Sequence, residues 1–227
     1  FIDHARQDMP PTDTIGPIEW IRDPANGALS YSVTTERGLV FGGTVTPKRD
    51  ALSLMFYVRN RSDLVLEHVT NQMCLVLTEA PEFGRKHDLA HIFAWIDGKY
   101  ASLNETTPTP EQKGRRPWIM LPTREMANGY SGPRDWPDGW WVVDQVADLP
   151  VIARTSTDSK HLLAITWDGD PMYLMSNTRI PCLHAGPTSA FAIEPGKECV
   201  WRGTIWLMPT EPDRLLKEVR KTLPGSR

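Results

Sequence analysis

Residues 52–58 read Leu-Ser-Leu-Met-Phe-Tyr-Val, with Leu52, Leu54, Phe56 and Val58 at every second position. Successive side chains of an extended strand point to opposite faces, so this spacing gathers the four apolar groups on one face. A helix would scatter the same residues around its circumference. The two-residue period recurs at Leu29, Tyr31 and Val33, and apolar Leu39-Val40-Phe41 follows beside Gly42-Gly43. Half-apolar strands become stable when several pair and a second layer closes over them. The expectation is an all-β fold, an antiparallel two-sheet β-sandwich.

Further strand candidates are 64–77, 140–146, 162–167, 172–175, 190–193 and 200–208. Turn chemistry separates them at Asn60-Arg61-Ser62-Asp63, Asp168-Gly169-Asp170-Pro171 and Glu194-Pro195-Gly196-Lys197. Segment 87–96 fits a strand or a short helix and ends at Asp97-Gly98. Twenty Pro and 16 Gly suit a chain of many turns better than a helical bundle. A length of 227 residues suits one domain, 1–227, opened by an arm, a short strand and a turn over 1–27. Residues 101–139 form a long Pro-rich loop region, which covers a site, carries short strands or is ordered by packing. One short C-terminal helix is expected, capped by Thr210, with Pro212 in its first turn and Leu215, Leu216, Val219 and Leu223 as its apolar stripe.

The formal net charge of −3 and the scatter of Lys and Arg lack the concentrated positive field that nucleic-acid binding needs, so no nucleic-acid partner is expected. No apolar run is long enough for a membrane span, and the first residues lack the order of a signal peptide. Secreted or periplasmic residence with the signal segment already absent fits this start. Cys74, Cys182 and Cys199 lack CxxC spacing and allow at most one intramolecular pair.

The strand pair from Phe41 to Asn60, and the late strand from Pro195-Gly196-Lys197 to Met208 followed by a helix, resemble segments of carbohydrate-active β-sandwich proteins. The group includes galactose-mutarotase-like domains and polysaccharide-lyase sandwiches. The resemblance implies sugar held over a sheet or in a cleft, with His, Tyr, Arg or acidic side chains moving protons and stabilising charge. His184, at the end of Asn177-Thr178-Arg179-Ile180-Pro181-Cys182-Leu183-His184, stands where such a sandwich would present a functional group.

Three constellations carry the chemistry. His87 and His91, four positions apart, share a face on either a helix or a strand. With His184 and His68 they form a candidate set for a divalent metal, whether Zn, Ca or a transition metal. Exposed or hydrogen-bonded structural histidines account for the same pattern. In Arg134-Asp135-Trp136-Pro137-Asp138-Gly139-Trp140-Trp141, Trp136 and Trp140 could stack on sugar rings while Arg134, Asp135 and Arg124 bind hydroxyls or a uronate carboxylate. A loop anchored by buried Trp explains that segment equally well. Finally, Cys182 and His184 could form a nucleophile and its base, or a buried thiol beside a histidine.

These groups support a carbohydrate-active lyase acting on a uronate-containing polysaccharide by β-elimination. Arg or metal would stabilise the carboxylate while His184, then His91, then Tyr130 rank as proton-transfer groups, with Arg134 beside them. A noncatalytic carbohydrate-binding or assembly module is the alternative, as is a metal-dependent sugar-modifying enzyme or a glycoside hydrolase. A hydrolase needs two carboxyls roughly 5 to 9 Å apart, and Asp168-Gly169-Asp170 reads more simply as a turn. A sheet face or edge could also pair two copies into a homo-oligomer. Dinucleotide, P-loop and HExxH signatures are absent from the sequence.

Overall fold

The computed structural model describes residues 2–3, 18–85, 88–106, 118–124, 140–167, 171–177, 179–186 and 191–223. In chain order the strands are β1 (Ile2–Asp3), β2 (Ile21–Arg22), β3 (Leu29–Thr34), β4 (Leu39–Pro47), β5 (Ala51–Asn60), β6 (Leu66–Asn71), β7 (Met73–Val76), β8 (Ile92–Ile96) and β9 (Lys99–Ser102). They continue with β10 (Trp118–Pro122), β11 (Trp140–Val142), β12 (Ala147–Thr155), β13 (His161–Trp167), β14 (Tyr173–Asn177), β15 (Cys182–Ala185), β16 (Phe191–Ile193) and β17 (Glu198–Pro209), before helix α1 (Pro212–Thr222).

Nine strands form one antiparallel sheet in the order β2-β3-β4-β5-β17-β13-β12-β8-β9. The alternation in β5 sets its register: Leu54 and Val58 are buried in the main core, with Phe56 packed against it. On β4, Gly43 stands between Tyr31 and Phe56 in register, and Gly42 between Ser32 and Tyr57. A Cβ on Gly43 would come within 2.7 Å of the Phe56 ring, and one on Gly42 within 2.5 Å of the Tyr57 hydroxyl. The two glycines therefore let an aromatic ring lie on the strand on each face.

Five strands, β11-β10-β14-β15-β7, and three strands, β1-β6-β16, make two further sheets. Ile119, Leu121, Leu174, Leu183 and Ala185 of the five-stranded sheet and Val69 and Ile193 of the three-stranded sheet join the core with Ile152, Ile165 and Trp201 of the nine-stranded sheet. The architecture is thus predominantly antiparallel β with a C-terminal helix, as expected. It departs from a clean two-sheet sandwich in having three sheets and a parallel β10–β11 pair. The expected strand 64–77 is the cause of one division. It splits at Gln72, so that β6 serves the three-stranded sheet and β7 the five-stranded one.

On its other face the nine-stranded sheet packs Val151, Ala153, Leu162, Ala164, Trp206 and Met208 against Leu215 and Val219 of α1. Burying those two helix side chains contributes roughly 3–6 kcal/mol before entropy is counted. Pro212 opens α1, Asp213 lies in its first turn, and Arg220 and Lys221 lie in its last, each sign matching the helix dipole. Thr210 does not cap it. Pro209 still belongs to the β13–β17 ladder, so the cap position falls on Glu211, and the Thr210 hydroxyl is buried without a hydrogen-bond partner.

Candidate functional site

Strand β15 begins after Pro181 and alternates sharply. Leu183 and Ala185 enter the core, so Cys182 and His184 occupy the opposite face of the five-stranded sheet. Ser176 Oγ donates to the Cys182 carbonyl, and Asn177 Oδ1 accepts from the Arg179 and Ile180 amides, fixing the turn from β14 into β15. The ladder sets His184 between Met175 of β14 and Cys74 of β7. His184 Nε2 lies 2.9 Å from Cys182 Sγ and 3.7 Å from Cys74 Sγ. Met120, Val142, Met172, Tyr173 and Met175 pack together as a buried apolar cluster beside this group. Strands β10 and β11 pair in parallel, with Met120 opposite Val142.

The three polar groups differ in access. Cys74 is exposed, whereas Cys182 is 2% and His184 4% exposed. The hydrogen bond with Cys182 holds the Cys74 thiol below its ordinary value, and His184 adds to the effect against an opposing contribution from burial. Cys182 moves the opposite way, first through the same contact and then through burial. An exposed thiol whose ionisation is favoured and a buried thiol, both within reach of one imidazole, can exchange protons with it and present a soft nucleophile.

The other residues singled out in the sequence lie elsewhere. His91, just before β8, places Nδ1 2.9 Å from Thr155 Oγ1 and Nε2 3.9 Å from Asp88. Its partner Thr155 belongs to β12 of the nine-stranded sheet, while His184 belongs to β15 of the five-stranded one. His87 and the His68 side chain lie outside the described residues. Among the described residues, no three or more His, Cys, Asp or Glu side chains form a group suited to a metal ion. Arg124 is exposed, and one of its guanidinium nitrogens sits 3.5 Å from Asp148. Tyr130, Arg134, Asp135, Trp136 and the Trp140 side chain lie outside the described residues. No helix among the described residues is long and apolar enough to cross a membrane.

Similar folds exist among solved structures. The Slr1438 protein of Synechocystis sp. PCC 6803 matches 86% of this chain at 11% identity and a TM-score of 0.48, and the chain covers 66% of it, just under two thirds of its length. A galactose mutarotase related enzyme from Lactobacillus acidophilus matches 85% of the chain at 11% identity, with 71% of its own length covered and a TM-score of 0.47. A galactose mutarotase-like protein from Lactobacillus casei gives 84%, 12%, 72% and 0.43 for the same quantities. The likeness is distant and concerns the fold alone. No protein-family model matches the chain, and no curated protein matches it.

Two groups escaped the sequence reading. Cys74 entered it only as a count, although its place between apolar Met73 and Leu75 already turned it away from the core. Arg154 gave no signal, because an arginine within a strand ordinarily faces water. Here it is 1% exposed and shares the inward face with Ile152. Its Nη2 donates to the Arg85 carbonyl, and burial pulls its pKa down while the charge of Asp88 opposes that shift.

Proposed function

We propose that the chain is a carbohydrate-active domain that receives a sugar at the side of the five-stranded sheet that bears His184, with His184 as the group that moves a proton. One observation supports this reading above others. An imidazole stands beside an apolar Met and Tyr cluster, with His184 opposite Met175 in register. Sugar rings present an apolar face that stacks on aromatic and thioether groups, and hydroxyls that need a few polar partners. The imidazole can take a proton from a sugar hydroxyl or carbon and return it, as an isomerisation or epimerisation requires. β-Elimination of a uronate is the narrower form of the proposal. It needs a cation on the carboxylate, a role for Arg124 or Arg134.

The low exposure of His184 and its close contact with Cys182 favour a second reading, a noncatalytic sugar-binding face. Calorimetric titration with a panel of neutral and uronate sugars, run beside polarimetry, reducing-end and unsaturated-product assays, separates the two. Catalysis predicts turnover that falls on the order of 10²-fold or more in His184→Gln while binding persists. Binding without turnover in the unmodified protein selects the module. Absence of saturable binding to every sugar tested defeats both.

A further inference from the structure

We propose that Cys74 and Cys182 form a peroxide-reactive dithiol in which Cys74 attacks, Cys182 resolves and His184 accepts the resolving proton. This goes beyond the carbohydrate reading and stands independently of it. The geometry carries the assignment. Cys74 faces solvent and Cys182 does not, so a small oxidant reaches Cys74 first. Both sulfurs approach one nitrogen, His184 Nε2, Cys74 at 3.7 Å and Cys182 at 2.9 Å. Cys74 pairs in register with His184, and Cys182 with Val76, so the two cysteines are diagonal neighbours on one face of adjacent strands. Diagonal partners stand farther apart than opposite ones, and bonding them draws the strands together. Among the described residues, strand β7 is the edge of its sheet and has no further ladder partner there to resist that movement.

In the first step the Cys74 thiolate attacks one oxygen of hydrogen peroxide. A sulfur–oxygen bond forms, the oxygen–oxygen bond breaks, and the departing hydroxide takes a proton to become water. In the second, Cys182 passes its proton to His184 and attacks the Cys74 sulfur. The disulfide forms, the sulfur–oxygen bond breaks, and hydroxide recovers the proton from the imidazolium. Two thiols are oxidised by two electrons in all, one peroxide is reduced, and two waters result.

The test is to treat the reduced protein with one equivalent of hydrogen peroxide, alkylate under denaturing conditions, and map the products by mass spectrometry. The expected product is a peptide pair linked through Cys74 and Cys182, with Cys199 of β17 still free to alkylate. Cys182→Ser should halt at a Cys74 sulfenic acid that dimedone traps, and Cys74→Ser should leave Cys182 and Cys199 reduced. His184→Gln should slow the linking step by on the order of tenfold or more, and by more than it slows dimedone capture at Cys74 in the Cys182→Ser background; equal slowing of the two would remove the proton-accepting role. Oxidation of Cys74 no faster than that of Cys199, a link made through Cys199, or a trapped sulfenic acid that never condenses in the unmodified protein would each overturn the proposal.

Discussion

The nine-stranded and five-stranded sheets meet in one core, yet they were written into the chain differently. Strands β4, β5 and β17 are 9, 10 and 12 residues long, and their burial changes from position to position because their two faces meet different surroundings. Strands β14 and β15 have five and four residues, all of them buried. A strand shows a two-residue hydropathy rhythm only when one face meets water. The difference teaches that the rhythm reports solvent contrast and not strand formation itself.

If both sheets are equally firm parts of that core, truncating either should cost the same. Ile152→Ala in β12 and Leu183→Ala in β15 remove side chains that are fully buried, and each should lower unfolding free energy by about 2–5 kcal/mol in urea titrations. A loss below about 1 kcal/mol for Leu183→Ala alone would break the equivalence and make the shorter sheet a loosely held layer. Gly43→Ala tests a feature confined to the long sheet. The added methyl meets the Phe56 ring, and a loss of about 1–3 kcal/mol is expected by the same titration.

The hairpin turns should differ in their response to acid. In the β12–β13 turn, Ser156 Oγ and the Lys160 amide donate to Asp158, and Asp158 is held down to about 2 from an ordinary value of 3.8, chiefly by the Ser156 hydroxyl. Between those values the unfolded chain binds more protons, so stability rises with pH there. The contribution is complete above the ordinary value and is lost as pH falls through about 2. The β14–β15 turn uses the Asn177 amide side chain and has no such dependence at that residue. A carboxyl carbon titration of Asp158 by NMR should have its midpoint near 2. A midpoint at the ordinary value would remove the contrast between the turns.

Legibility followed the same physics. Leu29, Leu54, Ile165 and Trp206 fall in strands anticipated from alternation or apolar runs bounded by turns, and the stripe of α1 was recognisable from Leu215 and Val219. Strand β12 was not, because Asp148 and Pro150 interrupt its start and the ladder shifts register between Ala147 and Ile152. Strand β10 was hidden in a Pro-rich stretch, and β15 is four residues long after a proline. At the site, the Cys182–His184 spacing suggested proximity, whereas the approach of Cys74 is a property of cross-strand register that no local pattern contains. His91 and His184 illustrate the converse, since a shared residue type says nothing about which sheet each will join.

Gln72 alone separates β6 from β7, and across from it Gly186, at φ +127°, sits so close that a Cβ there would strike Gln72 at 2.5 Å. With the Asn71 side chain held by the indole N–H of Trp167, the joint has a fixed anchor on one side and a free sheet margin on the other. It behaves as a fulcrum without slack. A side chain added at position 186 would press on the residue that joins two sheets, so one substitution there should disturb both.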